Sequence, residues 1–542
     1  MLRIGRAVSK GQSTSTKYKL VPFEVLYLQV LPKVKHTFYY NQRTFVAEQF
    51  QIPSTPIEEF SLTNGLRVVL SQDRSVPVVS VAVYYDVGSR NEKTGRTGFA
   101  HLFEHMMFQG SENVPKAAHF QYIFNAGGTM NGTTSTERTN YFETLPSNYL
   151  PLAFWLESDR MRSLKVTQEN LDNQRNAVQE EKRLRYDNQP YVNAFLLMNE
   201  LIFTNPANAH STIGSMEDLD AATIDDVREF FRVYYAPNNA VLSVVGDFDI
   251  KTARELIEKY FSSIPAQTLP PPVDVSENHD VAVKSETYHD PLAPAPAFVL
   301  GWKVPARRTP EFYALSLAGT LLFDGDSSRL YQKLVKGDES VVSIEGGIDE
   351  RRGPSALYIF ALPKPDEDVA AIREKIFAEI KSIGASGPTS EEMEKLRNSI
   401  CNDAVRGRQS TMYRAQRIAE FALYDSNPGL FDAELDSYLN VTAEQIKDAV
   451  ARFIDLDNRV VLDIVPAQTS AGEAEVAASP QPPGEPQQPA APAPHIPDKP
   501  NPEVPGTPAD VSPIKPTSSV VPSSDPADAN TQPEQGSGPL HL

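Results

Sequence analysis

Two histidines four residues apart frame a glutamate in the run Gly98-Phe99-Ala100-His101-Leu102-Phe103-Glu104-His105-Met106-Met107-Phe108. On a helix, positions i, i+3 and i+4 share one face, so two imidazoles and a carboxylate project into the same space. Phe99, Leu102, Phe103, Met106 and Phe108 make that helix apolar nearly all round, which predicts burial. Three polar groups on one face of a buried helix need a partner, and this donor set suits a divalent metal such as zinc.

Zinc takes imidazole nitrogen and carboxylate oxygen, and a catalytic site keeps one position for water. His101 and His105 supply two ligands from one rigid helix, and a third must come from elsewhere. Glu104 need not coordinate. One turn from a ligand, it can take a proton from the activated water and pass it to a leaving amine. The order His-x-x-Glu-His is the reverse of the commoner His-Glu-x-x-His helix and is known as the inverzincin motif.

The elements that must position these groups follow in order. Asn64-Gly65 between two apolar runs signals a hairpin, and Val78 to Val87 reads as a strand. Gly110 and Ser111 stop the histidine helix. Ala126 to Thr134, with its Gly127-Gly128 pair, reads as a turn into a further strand that ends near Leu145. Residues 150–161 read as an amphipathic helix. A long helix runs from an N-cap at Thr167 to about Asn188. Asn239 to Asp247 reads as a buried strand, followed by a helix to Phe261. His119, His210, His279 and His289 lack partners at ligand spacing and read as structural or surface residues.

The chain then repeats itself. Ala297 to Trp302 resembles Val79 to Tyr85, Thr389 to Asn398 matches Thr167 to Asn176, and Asn458 to Val465 echoes Asn239 to Asp247. Aligning Phe323-Asp324-Gly325 on Phe108-Gln109-Gly110 sets His101 on Ser316, Glu104 on Gly319 and His105 on Thr320. The second half keeps the scaffold and loses the metal-type residues. The expected organisation is a leader or loosely ordered arm at 1–55, a metal-binding half at 56–265 and a proline-rich linker at 266–284. An inactive homologous half at 285–466 and a disordered Pro/Ala/Ser-rich tail at 467–542 complete it.

At 542 residues the chain can hold two or three domains, and its net charge of −19 argues against a nucleic-acid role. Its single cysteine, Cys401, allows no internal disulfide. No apolar run reaches the ~18 residues of a membrane span. The N-terminus lacks a clear signal peptide. The compartment stays open, with the proline-rich tail leaning towards an exported, periplasmic location.

On these motifs the chain resembles the pitrilysin/insulinase-type zinc metallopeptidases, which include mitochondrial processing peptidase, over roughly residues 57–466. The resemblance rests on His101 to His105, on Arg175-Asn176-Ala177-Val178-Gln179-Glu180-Glu181, and on Val245-Gly246-Asp247. It implies an α+β fold of two homologous α/β-sandwich halves forming a clamshell. It implies a zinc metalloendopeptidase acting on peptides or unfolded polypeptides, with Glu104 as general base. The family pattern Arg-x-x-Val-x-x-Glu makes Glu181 the third zinc ligand; without it Glu181 would read as a solvated helix charge beside Glu180, Lys182 and Arg183. An acid common two turns earlier is Gln174 here.

Asn131, Gly132 and Thr133 match the family's substrate-binding edge segment, and Arg329 its substrate-side arginine. The tyrosine that goes with that arginine is missing near Val342. This implies the zinc-bearing partner of a heterodimer whose homologous second subunit carries the Arg/Tyr pair. The alternative is a non-catalytic scaffold, or a subunit of a peptidase-like complex that depends on its partner.

Overall fold

The computed structural model describes residues 52–278 and 283–467. The expected leader up to residue 51, the tail from residue 468 and His279 lie outside the described residues.

Two mixed sheets carry the fold. The first contains β1 (Glu58–Ser61), β2 (Arg67–Gln72), β3 (Val78–Tyr85), β4 (Thr129–Thr134), β5 (Thr139–Pro146) and β6 (Ala240–Gly246), in the order β1-β2-β6-β3-β5-β4. The second contains β7 (Lys284–Asp290), β8 (Ala297–Val304), β9 (Val341–Asp349), β10 (Ser355–Pro363) and β11 (Val460–Pro466), in the order β7-β11-β8-β10-β9. Apart from β1 the two orders are one topology: a parallel pair, β2/β6 or β7/β11, continued by antiparallel neighbours. The repeat read from the sequence is therefore a repeat of architecture, in two homologous halves.

Strand side chains alternate between faces, and here both faces are buried. On β3, Val79, Val81, Val83 and Tyr85 enter one core while Ala82 and Tyr84 enter another. On β8, Phe298, Leu300 and Trp302 part in the same way from Ala297 and Val299. Each outer face is covered by a helix from the opposite half. Thr411–Asp425 lays Ala415, Ile418, Ala419 and Ala422 on β2, β3 and β6 of the first sheet. Val192–Ile202 lays Ala194, Met198 and Ile202 on β8 and β11 of the second. The stretch between the sheets thus separates two inner cores, while the two outer-face cores draw residues from both sides of it. Its described part is anchored at Glu277, which accepts bonds from Asn205 N at 2.8 Å and Lys303 Nζ at 2.9 Å.

Three local expectations change. Residues 129–134, read as a turn, form strand β4 and pair with the separate strand β5. Helix Leu150–Ser163 is not amphipathic: Glu157, Asp159 and Arg160 are buried along with its apolar residues. The long helix ends its α-helical part at Lys182, and Arg183–Asp187 continue as a π-helical turn, a form frequent at functional sites. In the second half, helix Pro310–Phe323 carries Ser316, Gly319 and Thr320. Its hydroxyls bond back to the helix itself, Ser316 to Phe312 O and Thr320 to Ser316 O.

The exchanged helix makes a stability test. Truncating Ile418, fully buried against the first sheet, should cost about 2–5 kcal/mol in Ile418→Ala. Urea unfolding would measure the loss, and amide exchange should rise in β3 and β6, far from residue 418 in sequence.

Candidate metal centre

The histidine helix, Phe99–Met106, buries Phe99, Ala100, Leu102, Phe103 and Met106 and leaves His101, Glu104 and His105 half-buried on its remaining face. The second contributing helix, Gln168–Lys182, starts at Thr167, whose side chain accepts from Asn170 N. Leu171 and Val178 pack it into the core, and Arg175 ties it down through Leu219 O at 2.9 Å and Ala222 O at 2.6 Å. This sets the last turn, and with it Glu181, against the histidines.

Glu181 Oε2 lies 3.2 Å from His105 Nε2 and 3.8 Å from His101 Nε2. One donor atom from each of the three residues falls within 4.8 Å of the others. Ligand bonds of ~2.1 Å in a tetrahedron would place donor atoms ~3.4 Å apart, so two nitrogens and one oxygen at this spacing fit zinc. The neighbouring Glu180 points to solvent and pairs with Arg183.

The electrostatics suit that donor set. Burial and the neighbouring His105 push the His101 imidazole down to about 4, so it is neutral with a lone pair available at neutral pH. The His105 hydrogen bond holds the Glu181 carboxyl below its usual range, against the effect of burial. Arg185 Nη1 holds the other Glu181 oxygen at 2.9 Å. Burial raises Glu104, opposed by a hydrogen bond from Thr134.

Glu104 is held from the sheet edge. The Thr134 hydroxyl donates to Glu104 Oε2 at 2.5 Å. Gly132 lets β4 come close: a Cβ there would lie 3.1 Å from the Tyr141 ring and 3.3 Å from Glu104 Cγ. Among the described residues β4 is the outermost strand, paired only with β5. Asn131 is exposed and bonds the amide of Gly132, whereas the Thr133 side chain is engaged by Arg138 and Asn140. Arg329 does not join this cluster in its hydrogen bonds or ion pairs. Its guanidinium lies bidentate on Glu392, at 2.7 and 2.8 Å, with Glu379 at 3.7 Å. Thr134 was visible in the sequence only as part of the edge segment; nothing in its spacing marked it as the partner of Glu104.

A second cluster sits behind β5. His119, Glu143 and Glu157 are buried with donor atoms in metal-like proximity. Here the cation is already supplied: Arg160 binds Glu157 with both arms of its guanidinium and lies 4.2 Å from the Tyr141 ring centroid. Burial, with Glu157 adjacent, drives Glu143 well above the carboxylate range. His119 thus has neighbours in space, Glu143 and Glu157, that its isolation in sequence did not show.

A duplicated mixed sheet with one His/His/Glu donor set defines the class, and comparison with known proteins gives the family. The insulinase (peptidase family M16) profile matches residues 67–210, and the peptidase M16 inactive-domain profile matches residues 221–400. The chain belongs to peptidase family M16. It is 28% identical over 403 residues to the zinc protease PqqE of Helicobacter pylori, covering 72% of this chain and 90% of that protein. The crystal structure of a protease from Helicobacter pylori superposes with a TM-score of 0.73 at 25% identity, covering 76% of this chain and all of that one. The β subunit of mitochondrial-processing peptidase from Lentinula edodes is 28% identical over 216 residues, 40% of this chain and 46% of that one.

The buried arginine makes the prediction for this region. Arg160→Leu strands the Glu157 carboxylate in the core and should destabilise the fold by about 3–5 kcal/mol, read from denaturant unfolding.

Proposed function

We propose that this chain is a zinc-dependent metalloendopeptidase hydrolysing peptides or unfolded polypeptides. The observation that carries the reading is the convergence of His101, His105 and Glu181 from two helices, with Glu104 on the same face. His101 and His105, through Nε2, and Glu181 would hold the metal. When bound, zinc supplies Lewis-acid polarisation of the scissile carbonyl and a more acidic water.

Glu104 acts as general base. Its raised pKa brings it closer to the value at which a carboxylate takes a proton efficiently and returns it to a leaving amine. Thr134 occupies Oε2, which leaves Oε1 for that transfer. The free edge of β4 binds an extended peptide by strand addition, with Asn131, Gly132 and Thr133 contributing backbone contacts. Backbone pairing makes such binding tolerant of substrate sequence.

Two features favour a partner subunit: the arginine that the family pattern assigns to substrate, Arg329, is committed to Glu392, and no tyrosine stands near Val342. A homologous chain supplying an Arg/Tyr pair would complete the site. Among the described residues no helix is long and apolar enough to cross a membrane.

The decisive experiment is metal analysis followed by a peptide-cleavage assay of the chain alone. Glu104→Gln should keep stoichiometric zinc and lose cleavage by about 10²–10⁴-fold. Glu181→Ala should lose the metal, and chelation should abolish wild-type cleavage. Zinc without cleavage points to the required partner; a chain that binds no zinc is the scaffold alternative. Wild-type cleavage by Glu104→Gln would sink the mechanism.

A further inference from the structure

The histidine helix begins without a side-chain cap of its own. Its N-cap is Gly98, at φ +85, which offers the orphan amides no acceptor. The acceptor comes from outside the helix. The Glu92 side chain is fully buried, and its two oxygens accept Gly98 N at 2.9 Å and Ala100 N at 2.7 Å. A carboxylate at this end also complements the helix dipole.

Glu92 is itself held by His210, whose Nε2 lies 3.0 Å from Glu92 Oε2. The other ring nitrogen, Nδ1, faces Pro206 O at 2.5 Å. Both ring nitrogens thus face acceptors, and the hydrogen bond to Glu92 raises the imidazole above its usual range against the effect of burial. The segment around His210 is pressed onto the start of the helix: a Cβ on Gly214 would lie 2.5 Å from Gly98 Cα. Thr97 N and Oγ1 both bond Asp218.

That segment is gripped in turn by Asn199, on the first-half helix that covers the second sheet, and by Arg351 of the second half. Asn199 donates to the carbonyls of Asn208 and Ala209, at 3.0 and 2.6 Å. Arg351, buried two residues past the end of β9, donates to Asn208 O at 2.7 Å and to Asn199 Oδ1 at 3.0 Å. An unbroken set of contacts therefore runs from Arg351 through Asn199 and Asn208 to His210, Glu92 and the amide of Ala100, one residue before His101.

We propose that His210 is a positioning residue for the metal centre, locking Glu92 as the cap of the histidine helix and coupling that helix to the second half through Arg351. The proposal rests on the reading of His101, His105 and Glu181 as zinc ligands. It gives the half without metal residues a physical role in the chemistry of the other: it sets how tightly the histidines are held.

The test uses the full chain loaded with zinc and follows release of the metal to excess chromogenic chelator, well below the unfolding temperature of each variant. His210→Ala should speed release by about tenfold to a hundredfold, the cost usual for losing a group that orients a ligand. His210→Gln, which keeps an N–H donor for Glu92, should stay close to wild type. Arg351→Ala should also speed release, and should add little in the His210→Ala background because the two act through one chain of contacts. Unchanged release in His210→Ala, or fully independent effects of the two substitutions, would overturn the coupling. A wild-type chain that takes up no zinc would instead overturn the metal reading beneath it.

Discussion

A helix that turns three ionisable groups to one side and packs apolar residues on the others cannot hold itself in place. Five of the eight residues of Phe99–Met106 are buried, so its position is set by what surrounds it. Helix Gln168–Lys182 supplies the carboxylate between its histidines, β4 supplies Thr134 to its glutamate, and Glu92 satisfies its first amides. Preorganisation of this kind is what a hydrolytic site needs, because donors fixed in advance need no rearrangement when charge develops.

The same dependence recurs at the scale of the halves. Each sheet buries both faces, one of them under a helix of the opposite half. Thr411–Asp425 and Val192–Ile202 cross over to close the opposite cores. The crossing is reinforced by polar contacts, such as Arg67 to Ala422 O and Arg414 to Asp73. The half without the His/His/Glu set is thus built into the core behind the half that carries it.

Behind the site, charge is managed by burial in pairs. Arg160, Glu157 and Glu143 are buried in the core, adjoining Tyr141, the residue over which Gly132 and Glu104 meet. A guanidinium held by one carboxylate and an aromatic face, beside an acid whose ionisation burial disfavours, limits uncompensated charge in a dry interior. Residues 150–161 misled as an amphipathic helix for this reason: periodicity counts charge as solvent-facing, and only tertiary packing reveals that the charges satisfy one another.

Much was legible in the residues themselves. The i, i+3, i+4 spacing of His101, Glu104 and His105 depends only on helix geometry, so the sequence determined that these groups share a face. Alternating apolar runs and recurring capping residues, Thr167 and Thr389 among them, are likewise local, and they determined the repeated architecture. Three things were decided only by tertiary structure. One is the approach of Glu181, 76 positions after His105, to within hydrogen-bond distance of it. Another is the pairing of His210 with Glu92 across 118 positions. The last is the exchange of helices between halves. Each depends on long-range packing, which neither propensity nor period encodes: a helix carries its own spacing in its sequence, but not the identity of whatever closes its open face.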